Sequence, residues 1–236
     1  KILKINLMLK SYRYSGKSFI KLNSLQKSIL KNINNINGKD LVYEKNDCVC
    51  GKEESINISE RCKFGLNVNF KLCKICGLVR QDPVLSEKSL QFFYNNFYRS
   101  LYTGKNDQEN IKKIFEEQYK SGIKYYEVIK KNLLRKNYNI EDYREVLEIG
   151  ASSGGILAYF LKKGHDVYAI DYDEKYLNFA HKSGIKNIYT KIHDIGKKFD
   201  LIILSHTFEH FKDIKNYLSI INNLLKEKGI IFFDLP

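Results

Sequence analysis

Two hydrophobic rhythms run along the chain. Over residues 109–136, apolar side chains recur at Ile111, Ile114, Phe115, Tyr119, Ile123, Tyr126, Ile129 and Leu133. That three-and-four spacing lines one face of a helix. From Arg144 the rhythm changes to short apolar runs separated by helical stretches. Strands are expected at 145–149, 166–170, 187–191, 200–205 and 229–234, and helices near 154–163, 173–183 and 212–226. Such alternation predicts an α/β domain with a parallel sheet and right-handed crossovers. Upstream, Ile20, Leu22, Leu25, Ile29 and Ile33 suit either an amphipathic helix or a poorly ordered arm. The aromatic stretch Phe92, Phe93, Tyr94, Phe97, Tyr98, Leu101, Tyr102 reads most simply as packing between modules. No internal repeat is present.

Composition alters this picture in one respect. Of 236 residues, 43% are hydrophobic and 13% aromatic, which excludes a disordered chain, and no apolar run nears the ~18 residues of a membrane span. Lys plus Arg number 40 against 27 Asp plus Glu, a net charge of +13, which usually points to nucleic acid or an anionic surface. Yet 34 Lys, 22 Asn and 28 Ile are what an A+T-rich genome encodes whatever the partner. The charge is also local. Residues 1–40 hold eight Lys and Arg13 against one acid, Asp40, so +8 sits there and only +5 on the rest. RNA is therefore a second-choice partner.

Lys4 and Asn6 interrupt the apolar start and no small-residue cleavage site follows, so no signal peptide is expected and a cytoplasmic location is. The first residue is Lys1, consistent with a trimmed chain. In a reducing compartment, clustered cysteines more often bind metal than form disulfides. Cys48 and Cys50, then Cys73 and Cys76, form two pairs each followed by glycine and separated by 22 residues. Such a set closes a tetrahedral Zn²⁺ site, structural because four thiolates leave no open position. Cys62, between the pairs, is either a substitute ligand or, more simply, a lone buried thiol.

Residues 146–155 read VLEIGASSGG: a buried strand, a glycine loop, then a helix. Glycine lets the chain turn sharply and a ligand approach the backbone. Asp171 follows the second strand, 21 residues after Gly150, where a carboxylate accepts hydrogen bonds from ribose hydroxyls. An ordinary tight turn would account for Gly150 and Gly154 alone; Asp171 turns the balance to ligand binding. Ser152 stands where a dinucleotide fingerprint has its second glycine, which disfavours NAD and suits S-adenosylmethionine, a cofactor without phosphate.

At these residues the sequence resembles the class I S-adenosylmethionine-dependent methyltransferases. The matching motifs are VLEIGASSGG, AIDYD after the second strand, FDLIILSHTFEHF and LLKEKGIIFFDLP, over residues 144–236. The resemblance implies a Rossmann-like sheet with cofactor contacts at Glu148, Gly150, Ala151, Ser152, Gly154, Asp171, Tyr172, Asp194 and Ser205. Tyr172 would stack near the adenine and Asp194 meet its amino group. The fold resembled normally adds two further strands, so a chain truncated at Pro236 is expected. In the loop after the fourth strand, His206 and His210 are candidate bases, imidazole titrating near neutrality. Glu-His also serves such loops structurally, and Glu209 is taken as structural or as a cofactor-side contact.

The cysteine pairs, the segment 78–83, FFYNNFYRSLYTG and the α/β domain in that order resemble a bacterial family. Its members carry a zinc-binding domain ahead of the methyltransferase. Some are sugar C-methyltransferases, and others are encoded with surface-polysaccharide genes. This implies a nucleotide-linked sugar or related small metabolite as acceptor, with Tyr98, Arg99 and Tyr102 as candidate contacts. The expected organisation is a basic arm (1–45), a zinc-ribbon-like module (46–82), an aromatic and helical linker (83–143) and a methyltransferase domain (144–236). The competing readings are a zinc-ribbon RNA methyltransferase and a non-catalytic binding partner.

Overall fold

Residues 8–236 are described by a computed structural model, the side chains of residues 107–109 excepted, and the chain divides between Lys105 and Asn106 into two units. In the first, α1 (Ser24–Ile36) opens on a reciprocal cap. Asn23 Oδ1 accepts from the Gln26 N–H at 2.9 Å and Gln26 Oε1 from the Asn23 N–H at 3.1 Å, satisfying amides that a helix start leaves open. Ile29 and Ile33 are buried with Leu41 and Leu101, so a helix forms over part of the basic segment.

The short strands β1 (Tyr43–Glu44) and β5 (Val84–Leu85) pair with each other, while β2 (Ser55–Arg61), β3 (Asn67–Cys73) and β4 (Val79–Gln81) make an antiparallel sheet. Arg61, at the end of β2, lies 3.6 Å from the Phe19 ring centroid and donates to Ser15 Oγ and the Lys17 carbonyl. The segment ahead of α1 is thereby held to the sheet. Next come α2 (Glu87–Phe93), one π-helical turn (Tyr94–Tyr98) and α3 (Arg99–Thr103). Phe93 and Phe97 pack against the buried cluster that includes Leu101. Tyr94, Tyr98 and Tyr102, four residues apart, stack in sequence with centroids 4.5 and 5.8 Å apart.

The second unit begins with α4 (Asp107–Leu134) and alternates thereafter: β6 (Glu145–Ile149), α5 (Gly155–Lys162), β7 (Asp166–Ile170), α6 (Glu174–Lys182), β8 (Asn187–Tyr189), β9 (Phe199–Ser205), α7 (Ile214–Asn223) and β10 (Leu225–Asp234). The sheet order is β10–β9–β6–β7–β8, all parallel. Helices cover both faces: residues of α4, α5 and α6 join one core cluster and Ile221 of α7 the other. Val146, Leu147, Val167, Ala169, Leu201 and Ile203 are buried, as strands covered on both faces require, with Glu148 the polar exception. The order reverses between β6 and β9, and open sheets bind ligands outside the strand carboxyl ends at such a switch point.

Boundaries differ from the periodicity most at β8, α7 and β10. β8 stops at Tyr189 rather than 191, and helix α7 ends at Asn223 because the chain joins the sheet at Leu225, opposite Phe199. The register then shifts before Ile230 pairs with Leu201. In the shifted stretch Lys226 Nζ meets Glu145 at 2.6 Å and Asp200 at 2.9 Å.

Candidate active site

The glycine loop between β6 and α5 is tied to the strand beside it. The N–H groups of Gly150 and Ala151 donate to the Ile170 carbonyl at 2.8 and 3.0 Å. A Cβ on Gly150 would run into Thr207 Oγ1 from the loop after β9, and Gly150 also adopts φ +81°; both explain a glycine here. Ser152, in the place of the fingerprint's second glycine, has φ +50°, a conformation costing a side-chain-bearing residue roughly 1–2 kcal/mol. Its N–H donates to Asp171 Oδ2 at 2.7 Å, while Asp171 Oδ1 accepts from the Asp173 N–H at 2.9 Å.

The expected cofactor residues separate into two groups. Gly150, Asp171, Tyr172 and Ser205 are partly exposed around the carboxyl ends of β6, β7 and β9, whereas Ala151, Ser152 and Gly154 are buried within the loop. The Tyr172 hydroxyl lies 3.3 Å from that of Tyr217 on α7. Asp194 is exposed on a single 3-10 turn, Ile192–Asp194. Glu148 is fully buried and its carboxylate oxygens have no hydrogen-bond partner among the described residues. Burial, and secondarily the charge of Asp171, push its carboxyl well above the usual range, the direction expected of a desolvated carboxylate.

A second polar group lies at the ends of β9 and β10. The Tyr125 hydroxyl of α4 donates to the Asp234 carboxylate and sits 2.8 Å from Ser205 Oγ. Burial and then the bond to Asp234 push the Tyr125 phenol up to about 12. His206 has φ +48° and donates its N–H to the Asp234 carbonyl at 2.9 Å. Its exposed ring places Nε2 3.6 Å from Asp234 Oδ2 and Nδ1 4.0 Å from Glu209 Oε1, while His210 Nε2 is 3.8 Å from the same Glu209 oxygen. Two non-glycine residues at positive φ, Ser152 and His206, thus follow neighbouring strands, as strained backbone often does at functional sites.

In the first unit the sulfurs of Cys48, Cys50, Cys73 and Cys76 all lie within 4.8 Å of one another. Separations of 3.4 Å (Cys48–Cys76), 3.5 Å (Cys48–Cys50) and 3.7 Å (Cys50–Cys73) approach the ~3.8 Å edge of a tetrahedron with ~2.3 Å metal–sulfur bonds. The Cys76 N–H foremost holds the Cys73 thiol down to about 6. The donor set therefore fits a thiophilic ion. Cys62 lies in the turn between β2 and β3, its N–H bonded to the Leu66 carbonyl, and is outside this group. Of the two readings of Cys62, the placement favours the lone thiol over the substitute ligand, although it is half-buried rather than buried.

Sequence reasoning passed over Gln118, Tyr125, Thr207 and Asp234. Gln118 Oε1 accepts from Ser153 Oγ at 2.8 Å and from the Gly155 N–H at 3.3 Å, and its Nε2 donates to the Ala151 carbonyl at 3.2 Å. The helix can come this near because a Cβ on Gly155 would collide with the Phe115 carbonyl. Gln118 and Tyr125 are seven residues apart, two turns of one helix, and so share a face. The usable signal was polar atoms set at that spacing along an otherwise apolar stripe.

Part of the chain matches known proteins. A family described as "Methyltransferase domain" matches residues 109–236. A ubiquinone biosynthesis O-methyltransferase of Rickettsia bellii (strain OSU 85-389) is 25% identical over 143 residues, 53% of this chain and 60% of its own. The chain thus spans less than two thirds of the curated relatives it matches. Among solved structures, a plantazolicin methyltransferase complexed with SAH and a pentazolic desmethylPZN analog is 20% identical, covering 62% of this chain and 59% of its own, with a TM-score of 0.46. An S-adenosylmethionine-dependent methyltransferase from Clostridium acetobutylicum ATCC 824 is 19% identical, covering 62% and 57%, with a TM-score of 0.41.

Proposed function

The chain belongs to the methyltransferase-domain family, matched over residues 109–236, and from that premise we propose that it transfers a methyl group from S-adenosylmethionine to a small acceptor. The observation carrying this is Asp171, set by two backbone N–H groups beside the partly exposed Gly150 at the switch point of the sheet. There Asp171 would take the ribose hydroxyls, Tyr172 would flank the adenine and Asp194 its amino group, while Gly150 and Ser205 would line the amino-acid end. Buried Glu148, Ala151, Ser152 and Gly154 would shape the loop from beneath.

Methyl transfer from a sulfonium needs alignment foremost, and a base when the acceptor carries a proton. His206 would be that base, being exposed and flanked by Asp234 and Glu209; His210, 3.8 Å from the same Glu209 oxygen, is the alternative. The acceptor would be a nucleotide-linked sugar or a surface-polysaccharide precursor, with Tyr98, Arg99 and Tyr102 as candidate contacts. The cysteine quartet would hold a structural Zn²⁺. Among the described residues no helix is long and apolar enough to cross a membrane.

The +8 within residues 1–40 favours one second reading, an RNA acceptor, which would bind with steep salt dependence. Calorimetry with S-adenosylhomocysteine tests the cofactor. A labelled-methyl screen against nucleotide sugars and total RNA in parallel tests the acceptor. Cofactor binding with label entering a sugar is the expected result; no binding, or label in RNA alone, would sink the corresponding half.

A further inference from the structure

The α5 helix starts without a cap from its own loop. Its N-cap is Gly154, which has no side chain to offer, although four amides at a helix start need partners. In dinucleotide folds the cofactor's pyrophosphate fills that role. Here a side chain from another helix does so. Gln118 gives one oxygen to the Gly155 N–H and the Ser153 hydroxyl, and its amide nitrogen to the Ala151 carbonyl. Ser152 and Ser153 are 1% and 0% exposed, so neither serine turns its side chain to solvent. Only Gly150 of residues 150–155 remains partly open.

The same clamp reaches Asp171. The loop that Gln118 fixes at residues 151, 153 and 155 includes the Ser152 N–H, which orients the Asp171 carboxylate at 2.7 Å. The rigid path thus runs from α4 through the loop to the carboxylate of the second strand.

We propose that Gln118 is a positioning residue that locks the loop in a phosphate-excluding form and thereby presents Gly150 and Asp171 to a cofactor without phosphate. The inference rests on the S-adenosylmethionine reading above. The lock fixes selectivity by occupancy: an internal amide stands on the helix amide that a diphosphate would otherwise use.

The test uses the whole chain, with Gln118→Ala and Gln118→Glu. Glutamate keeps the acceptor for Ser153 and Gly155 but loses the donor to Ala151. Calorimetry with S-adenosylhomocysteine and with NAD⁺ is combined with backbone amide exchange over residues 151–155. Wild type should bind S-adenosylhomocysteine and not NAD⁺. Gln118→Ala should bind S-adenosylhomocysteine ~10-fold more weakly, the scale of one or two lost hydrogen bonds, with faster exchange over 151–155. Gln118→Glu should recover part of both. Affinity within twofold of wild type in Gln118→Ala would overturn the proposal, as would equal wild-type affinity for NAD⁺. Wild type failing to bind S-adenosylhomocysteine would instead overturn the cofactor reading, and the exchange data would still decide whether Gln118 locks the loop.

Discussion

The Ser152 N–H donates to Asp171 Oδ2 at 2.7 Å, joining the loop after β6 to the residue that follows β7. With the Asp173 N–H on the other oxygen at 2.9 Å, the carboxylate is fixed, and each oxygen retains lone-pair capacity for a ribose hydroxyl. Asp171→Ala removes both the acceptor and the brace on the loop. Hydrogen bonds to charged groups contribute about 1.5–3 kcal/mol each, so calorimetric affinity for S-adenosylhomocysteine should fall by roughly 10-fold or more. Unchanged affinity would take Asp171 out of the site.

Tyr125→Phe deletes the hydroxyl that joins α4 to Ser205 and Asp234. Because that phenol is pushed up to about 12, it stays protonated across the neutral range. The expected loss in urea unfolding is about 1–2 kcal/mol, the same at pH 6 and pH 9. A loss that changed between those values would place the titrating group elsewhere.

Glu148 supplies a pH test with a definite sign. Its folded-state pKa lies well above the ordinary value through burial and then the Asp171 charge, so stability is full below the unfolded pKa and declines as pH rises, by about 1.4 kcal/mol per unit. In the cofactor-free protein, Glu148→Gln should be the more stable at pH 8, and the gap should close near pH 4. A Gln variant less stable at pH 8 would show that the carboxylate is charged and satisfied.

Glu145 has the opposite sign. Lys197 first and then Lys226 hold its carboxyl below the usual range. Its contribution is present above the unfolded pKa and lost as pH falls through the folded one. Glu145→Gln should lower neutral-pH stability by under about 1 kcal/mol, since Lys226 is 41% exposed, and 1 M salt should shrink the effect. Equal deficits at pH 7 and pH 3 would point to lost packing instead.

Metal analysis of the purified chain should find one zinc per molecule. Cys50→Ser and Cys73→Ser should lose it, and Cys62→Ser should keep it, because Cys62 lies outside the sulfur group. Zinc-free wild-type protein would remove the metal from the account.

Much of the second unit was written in local order. The segments 145–149 and 166–170 coincide with β6 and β7, because strands buried on both faces are mostly apolar in sequence, although β6 also encloses Glu148. The glycine loop, Asp171 and the two cysteine pairs were likewise readable, each chemistry demanding particular residues at short spacing. What only the tertiary structure decided are partnerships over long separations. Gln118 meets Ala151 across 33 residues, and Tyr125 meets Asp234 across 109. No periodicity records such distances, since a helix fixes which residues share a face but not which loop that face will cover. The exclusion of Cys62 and the early start of β10 at Leu225 have the same origin: both follow from where folded segments meet.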